Sequence, residues 1–318
     1  MIDNTGERVY EGLDIIGDIH GYYDELIDLL SAMGYHKVGG VWQHPLRCAV
    51  FIGDFVSRGP DTRGVLETIR LMTDSGFAYA VLGNHELNMI GYFTNGKDGR
   101  ALYKPPESNK KQLDAIKAQF TGEKPLLKSY VKWLRTLPFS LEFDGLRIAH
   151  AYWSDAHISL ISDTLAGGKL KKRMIKEIFS GKSNFAHAVR QTTRGIELNL
   201  PDNLIIKDSK NVNRKNFRIK WWEEPDGKTF RELSFGNRFL LPDYTVPQQV
   251  LQPFEVYNEN EPAFIFGHYC AGQDAGVLRE NLCCIDGCVA NKGKLLAYRW
   301  DGERVLTPAK VTSAPVVV

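Results

Sequence analysis

Side chains able to bind metal or move protons recur in this sequence at one kind of position, directly behind a short apolar run. "LDIIGDIHG" ends in Asp18 and His20, "CAVFIGD" in Asp54, "AYAVLGNHE" in Asn84 and His85, "RIAHA" in His150 and "AFIFGH" in His268. Each alone has an ordinary alternative as a turn residue, a helix cap or a satisfied core histidine. As a set they change character: two Asp, three His besides His85, and one Asn are oxygen and nitrogen donors that suit Mn, Fe or Zn. No cysteine belongs to the set, which argues against a purely structural zinc. An Asp between two such groups can bridge two ions. Two ions about 3.5 to 4 Å apart can clamp the attacking and leaving oxygens of a phosphoryl transfer and bring the pKa of bound water towards neutrality.

The stretch "VFIGDFVSRGPDT" places Arg58 four residues after Asp54. A solvated ion pair in a turn is the ordinary reading of such a pair. The recurrence of ligand-type side chains at the other run ends weighs against that reading here.

These side chains need a scaffold that ends several strands at one place. Apolar runs of this length read as strands buried on both faces, and ligands gather outside the carboxyl ends of strands in an α/β sheet. Between the first runs lie helix patterns, "YYDELIDLLSAMGY" with Leu26, Leu29, Leu30 and Met33 on one face, and "TRGVLETIRLM" with Val65, Leu66, Ile69 and Met72. The N-terminal half is therefore α/β. Further on, "FSLEFDGLRIAHA" and "KLLAYRWDGERVL" each carry Asp-Gly between strand-like runs, a hairpin signal. The expected fold is a mixed sheet system with helices outside.

Two long segments interrupt the pattern. Residues 93 to about 128 hold Gly, Lys, Pro and Asn, and residues 152–262 separate His150 from His268. Segments this long are seldom structureless inside a compact domain, so the larger one is expected to be a cap or subdomain. It holds a basic helix candidate, "GGKLKKRMIKEIFSGK", and an aromatic strand candidate, "FRIKWWEE". The expected division is a core of residues 1–151 and 263–310, a cap of 152–262 and a tail of 311–318.

Forty Lys and Arg against thirty-eight Asp and Glu leave almost no net charge, so the total points to no wholesale nucleic-acid or acidic-membrane partner. The N-terminus has early acids and no apolar leader core, and no window approaches the roughly 18 apolar residues of a membrane span. Five cysteines, Cys48, Cys270, Cys283, Cys284 and Cys288, form neither an even disulfide framework nor a C-x-x-C pattern, and are expected to be buried free thiols in a reducing compartment. A soluble, cytoplasmic protein is expected.

In order, "GDIHG", "GDFVSRG", "GNHE", "AHA" and "FGHY" resemble the phosphoprotein phosphatase group of calcineurin-like metallophosphoesterases. The closer likeness is to the bacterial branch with symmetrical diadenosine tetraphosphatases and small protein phosphatases. The motifs cover residues 13–151 and 263–300. The resemblance implies an α/β/β/α sandwich with an inserted cap, and two divalent ions, Mn first, with Fe, Zn or Ni as alternatives. Asp18 and His20 would hold the first ion, Asp54 would bridge, and Asn84, His150 and His268 would hold the second. His85 would be the general acid and Arg58 would grip the phosphate. A second phosphate-binding arginine is expected from the segment after His150, Arg194 before Arg190. Glu86 would support the site without coordinating.

One position departs from the group's pattern: Ser57 stands where an Asp normally precedes the arginine. That Asp would pair with the general-acid histidine and raise its basicity; serine can hydrogen-bond it but brings no charge. The implied activity is hydrolysis of phosphate monoesters on proteins or small molecules, with a dinucleoside polyphosphate hydrolase or a low-turnover phosphate-binding module as alternatives. Trp153, Trp221 and Trp222 could stack a base or form the insertion's own core. The run Lys169 to Lys182, six basic residues against Glu177, could attract an anionic substrate or be a solvated helix face.

Overall fold

A computed structural model describes residues 10–200, 206–207, 213–235, 241, 243–248, 251 and 253–314. Two five-stranded sheets carry the site. The first holds strands β1 (Gly12–Ile16), β2 (Arg47–Phe51), β3 (Ala78–Ala80), β9 (Leu296–Trp300) and β10 (Val311–Ser313), in the order β10-β9-β1-β2-β3. The second holds β4 (Ser140–Phe143), β5 (Leu146–Ala149), β6 (Ala263–Phe266), β7 (Gly276–Arg279) and β8 (Leu282–Cys284), in the order β7-β8-β6-β5-β4. Within the first sheet β1, β2 and β3 run parallel, and within the second β5, β6 and β8 do.

Alternation along the strands explains why the runs are apolar on both sides. Leu13 and Ile15 of β1 and Cys48 and Val50 of β2 face Leu146, Ile148, Ala263 and Ile265 in the core between the sheets. Ile16, Ala49 and Phe51 face the other way, into a core with α1 (Tyr23–Ala32) and α2 (Thr62–Asp74). The apolar stripe read in the sequence supplies that contact: Leu26, Leu29, Leu30 and Met33 of the α1 segment are buried, as are Val65, Leu66, Ile69 and Met72 of α2. The Asp61 side chain accepts from Gly64 N–H at 2.7 Å and starts α2 at a fixed point beyond the Arg58 loop.

The outer face of the second sheet is covered by the aromatic part of residues 152–262. Trp153, Trp221 and Trp222 are 3%, 0% and 7% exposed and pack with Phe264 and Phe266 of β6, so these indoles are core and not a base-stacking platform. From the same segment α6 (Asp155–Leu165), α7 (Lys172–Ser180) and α8 (Asn184–Arg194) send Ile161, Met174, Ile175 and Val189 into the helix-side core of the first sheet. The 93–128 segment contains α4 (Glu107–Gln119), followed by α5 (Lys124–Leu134). The aromatic strand candidate is strand only over Asn216–Arg218.

Three expectations need correction. The Asp-Gly at 301–302 does not join two adjacent strands; the chain makes a longer excursion before β10 returns antiparallel to β9. Residues 311–313, expected in a loose tail, are thereby an edge strand, while 315–318 lie outside the described residues. Cys270 and Cys288, expected as free thiols, form a disulfide, and Cys48, Cys283 and Cys284 are buried and outside it. The reason is register: β6 and β8 run parallel with Phe266 opposite Cys284, and each cysteine lies four residues beyond its strand, so the two exits meet.

Candidate metal centre

Five strands deliver the motif residues from their carboxyl ends: β1 brings Asp18 and His20, β2 Asp54, β3 Asn84 and His85, β5 His150 and β6 His268. All but His85 are buried polar groups. Asp54, 2% exposed, is the meeting point. Its Oδ2 stands 3.9 Å from Nε2 of His20, 3.9 Å from Nε2 of His85 and 3.3 Å from Nε2 of His150. Two groups of three donors share it: His20, Asp54 and His85 form one, Asp54, His150 and His268 the other, each with its ligand atoms within 4.8 Å of one another. Asp18 lies alongside, with Oδ2 3.9 Å from His20 Nε2 and both carboxylate oxygens 3.2 Å from the His268 N–H. His85, expected as a proton donor, thus stands within reach of the same group that Asp18 adjoins.

The second group has the mark of an ion site. His268 Nε2 and Asn84 Oδ1 are buried and have no hydrogen-bond partner among the described residues, while His150 Nε2 faces Asp54 Oδ2 at 3.3 Å. Such orphaned atoms are costly unless something else satisfies them. His150 Nδ1 is occupied at 2.8 Å by the Ile52 carbonyl, which leaves Nε2 with its lone pair, or a displaceable proton, directed at the group.

Backbone geometry brings the donors this close. His20, Asp54, Ser57, Arg58 and His268 all have φ between 51° and 71°, a left-handed conformation that side chains with a Cβ rarely adopt and that costs on the order of 1–3 kcal/mol each. The Glu86 carboxylate offsets part of this cost: one oxygen accepts from Asp54 N–H at 2.7 Å and Gly83 N–H at 2.9 Å, the other from Val56 N–H at 3.2 Å. This ties the β2 exit to the start of α3 (Asn84–Phe93). Gly83 is required there, because a Cβ would collide with Asp54 Oδ1 and the Asp54 backbone nitrogen. At the same helix start His85 N–H donates to Asp54 Oδ1 at 2.8 Å, so the positive end of α3 stabilises the shared carboxylate.

Electrostatics set the protonation states. Burial works to raise the Asp54 pKa, but His150 and His85 hold it well below the usual carboxylate range. Burial and then Arg58 push His20 down to about 3; burial also holds His85 and His268 well below an ordinary histidine. Burial and then Asp286 push Asp18 up, and burial and then Asp54 push Glu86 up to about 7. His150 runs against the other histidines: burial lowers it, but Asp54 and Asp18 carry it up to about 10.

Arg58 and Ser57 both meet His85. The Ser57 hydroxyl is hydrogen-bonded to His85 Nδ1, and Arg58 Nη2 lies 3.3 Å from His85 Nε2. Arg194 ends α8, and its charge joins those that hold His85 and His268 neutral. Arg190 is turned to Glu197 at 3.1 Å. Two residues near the centre were missed from sequence. Arg218 donates to the His268 carbonyl at 3.1 Å, and the Asp286 carboxylate accepts from the N–H groups of Cys270 and Cys288. Arg218 sits behind no apolar run that ends in a ligand motif; Asp286 directly follows the strand-like "NLCCI", and that run was its signal.

Two facing sheets that gather carboxylates and imidazoles at their strand ends are a metallophosphoesterase fold with a candidate centre for divalent ions. Residues 13–271 match the calcineurin-like phosphoesterase family, and the chain belongs to it. It is 27% identical over 305 residues to the symmetrical bis(5'-nucleosyl)-tetraphosphatase of Vibrio campbellii, covering 92% of this chain and 97% of that relative. With the asymmetrical bis(5'-nucleosyl)-tetraphosphatase PrpE of Halalkalibacterium halodurans it shares 40% identity over 85 residues, 26% of this chain and 35% of the relative. This last match spans about a third of the relative's length. A solved cold-active protein tyrosine phosphatase aligns at a TM-score of 0.49 and 18% identity, covering 93% of this chain and 78% of that one.

The raised His150 pKa has a measurable consequence. An ion that takes Nε2 must displace the proton held there at neutral pH, so binding releases protons and tightens as pH rises. Calorimetric titration with Mn2+ between about pH 6 and about pH 8, in buffers of different ionisation enthalpy, should show proton release and roughly a tenfold gain in affinity per pH unit for one displaced proton. A pH-independent affinity with no released proton contradicts this assignment.

Proposed function

We propose that this chain is a dinuclear-metal phosphoesterase that hydrolyses phosphate monoesters of proteins or small molecules. One observation carries the reading: the Asp54 carboxylate is shared by two groups of donors, all buried but the half-buried His85, and Arg58 lies beside them at His85. Asp18, His20 and Asp54 would hold the first ion, and Asp54, Asn84, His150 and His268 the second. Two divalent ions, manganese first and iron, zinc or nickel as alternatives, would supply Lewis acidity and a nucleophile at neutral pH.

The side chains do the rest. A guanidinium can only donate, so Arg58 at His85 Nε2 makes that nitrogen an acceptor and places the neutral imidazole's proton on Nδ1, facing the Ser57 hydroxyl. A phosphate oxyanion is a stronger acceptor than a neutral imidazole, so substrate draws Arg58 away and frees Nε2. His85 can then protonate the leaving oxygen only when Nε2 also carries a proton, as the imidazolium. Arg194 is proposed as a second contact to the phosphate, supported by its field at His85 and His268.

A second reading, hydrolysis of dinucleoside polyphosphates, is favoured by the names of relatives that align over most of the chain. Buried Trp153, Trp221 and Trp222 give it no base platform. No helix among the described residues is long and apolar enough to cross a membrane. Our reading places the protein in the cytoplasm, acting on phosphoprotein, small phosphate-ester or nucleotide substrates and not on nucleic acid.

The test is turnover by Mn2+-loaded protein on an alkyl phosphate, a phosphopeptide and diadenosine tetraphosphate. Phosphate release from the monoesters is expected; cleavage of the tetraphosphate alone, into two nucleoside diphosphates, replaces the reading with the second one. Arg58→Ala should keep the ions and lose on the order of 10²- to 10³-fold in rate. An unchanged rate on all three removes Arg58 from the substrate site.

Ser57 yields a separate expectation. Ser57→Asp would set a carboxylate against His85 Nδ1–H, stabilise the imidazolium and extend the acid-active form to higher pH. The alkaline limb of the rate profile should move up. The gain, bounded at about 10- to 100-fold, should be larger for alkyl than for aryl phosphates, whose leaving groups need little protonation. Equal effects on both with no shift of that limb would show that position 57 does not act through His85.

A further inference from the structure

His268 belongs to a turn held by an unusual number of constraints. His268 and Cys270 have φ of 69° and 47°, and across from them Cys288 has 66°. One side chain serves both segments: the Asp286 carboxylate accepts from Cys270 N–H and from Cys288 N–H, the latter at 2.9 Å, while the Asp286 carbonyl accepts from Ala271 N–H at 3.0 Å. Asn291 Nδ2 caps both sulfurs, 3.3 Å from Cys270 Sγ and 3.5 Å from Cys288 Sγ. The disulfide closes this arrangement, with Cα atoms 4.4 Å apart.

We propose that Cys270–Cys288 is a thiol–disulfide exchange site whose redox state sets the position of His268 and hence the affinity of the second ion. The inference rests on the reading of His268 as a ligand of that ion. In the cytoplasmic reading a disulfide is usually transient and catalytic or redox-sensing, and of the two residues Cys288 is the more accessible: Cys270 is buried, whereas Cys288 is half-buried. A dithiol reductant attacks Cys288 Sγ, forms a mixed disulfide and expels Cys270 as a thiolate, which takes up a proton. The second thiol of the reductant then resolves the mixed disulfide, leaving two cysteine thiols and an oxidised reductant.

Two thiols cannot remain at bonding distance. On reduction the sulfurs separate, and the left-handed residues of the His268 turn lose their covalent restraint while keeping only the Asp286 hydrogen bonds. The first group of donors lies on the exits of β1, β2 and β3 and meets the His268 turn through the His268 N–H at Asp18, 3.2 Å away, so the larger effect falls on the second ion. Cys270 and Cys288 are positioning residues in this scheme and touch no substrate.

The test uses the full chain oxidised with oxidised glutathione, the same chain reduced with a phosphine, and Cys270→Ser and Cys288→Ser variants. Alkylation under denaturing conditions counts thiols by mass. Of five cysteines, three should react in the oxidised chain, since two are bridged, and all in the reduced chain. Calorimetry with Mn2+ should show two binding steps in the oxidised chain. Reduction or either serine should leave the tighter step and weaken the other about tenfold or more, and reoxidation should restore it in the natural chain but not in the variants. Five reactive thiols after oxidation overturn the exchange site. Two steps untouched by reduction, or equally weakened, overturn its coupling to His268. Absence of any Mn2+ binding, with the expected thiol counts, sinks the coupling through failure of the metal-site reading itself.

Discussion

A carboxylate taken out of water beside three imidazoles is the constraint around which the molecule is arranged. Asp54 is almost inaccessible, and a buried charge is expensive unless surrounding groups satisfy it. The protein supplies His85 N–H at the start of α3 and the rings of His20, His85 and His150. It keeps most of those rings neutral by burying them with Arg58, Arg194 and Arg218 nearby. A neutral imidazole and an ionised carboxylate are the forms that ligate metal. The exception is His150, which carries a proton that an ion would replace.

Holding these groups together falls to pieces that never touch a substrate. Among the nine described non-glycine residues with positive φ, five are at the site and two more are the bridged cysteines beside it. Strain concentrated in this way persists only where the surroundings over-determine it. Here the surroundings are Glu86 below Asp54, Asp286 below the His268 turn, and two sheets whose shared core fixes the strand ends relative to one another.

Much of this was legible in the sequence because the pattern was local. An apolar run, a small residue and a ligand-type side chain identify a strand exit without knowledge of its neighbours, and all five such exits converge. The stripes of α1 and α2 were equally local. What could not be read depended on register between distant segments. Cys270 and Cys288 meet only because β6 and β8 run parallel with Phe266 opposite Cys284. Asp286 and Arg218 matter through backbone groups that no spacing reveals. Tandem indoles at 221 and 222 look the same in sequence whether they stack a ligand or fill a core, and here the aromatic face of β6 decides for the core. The Ser57 departure was visible at once, but that its hydroxyl still reaches His85 Nδ1 was not.

The central claim is that one carboxylate serves two ions. Elemental analysis of the full chain after reconstitution with Mn2+ and removal of excess tests it most directly, with Asp54→Asn and His20→Ala run beside the natural chain. The account predicts about two ions per chain for the natural protein, loss from both positions in Asp54→Asn, and retention of about one in His20→Ala. A natural chain that never exceeds one ion at saturating metal, or an Asp54→Asn chain that still holds two, would contradict it.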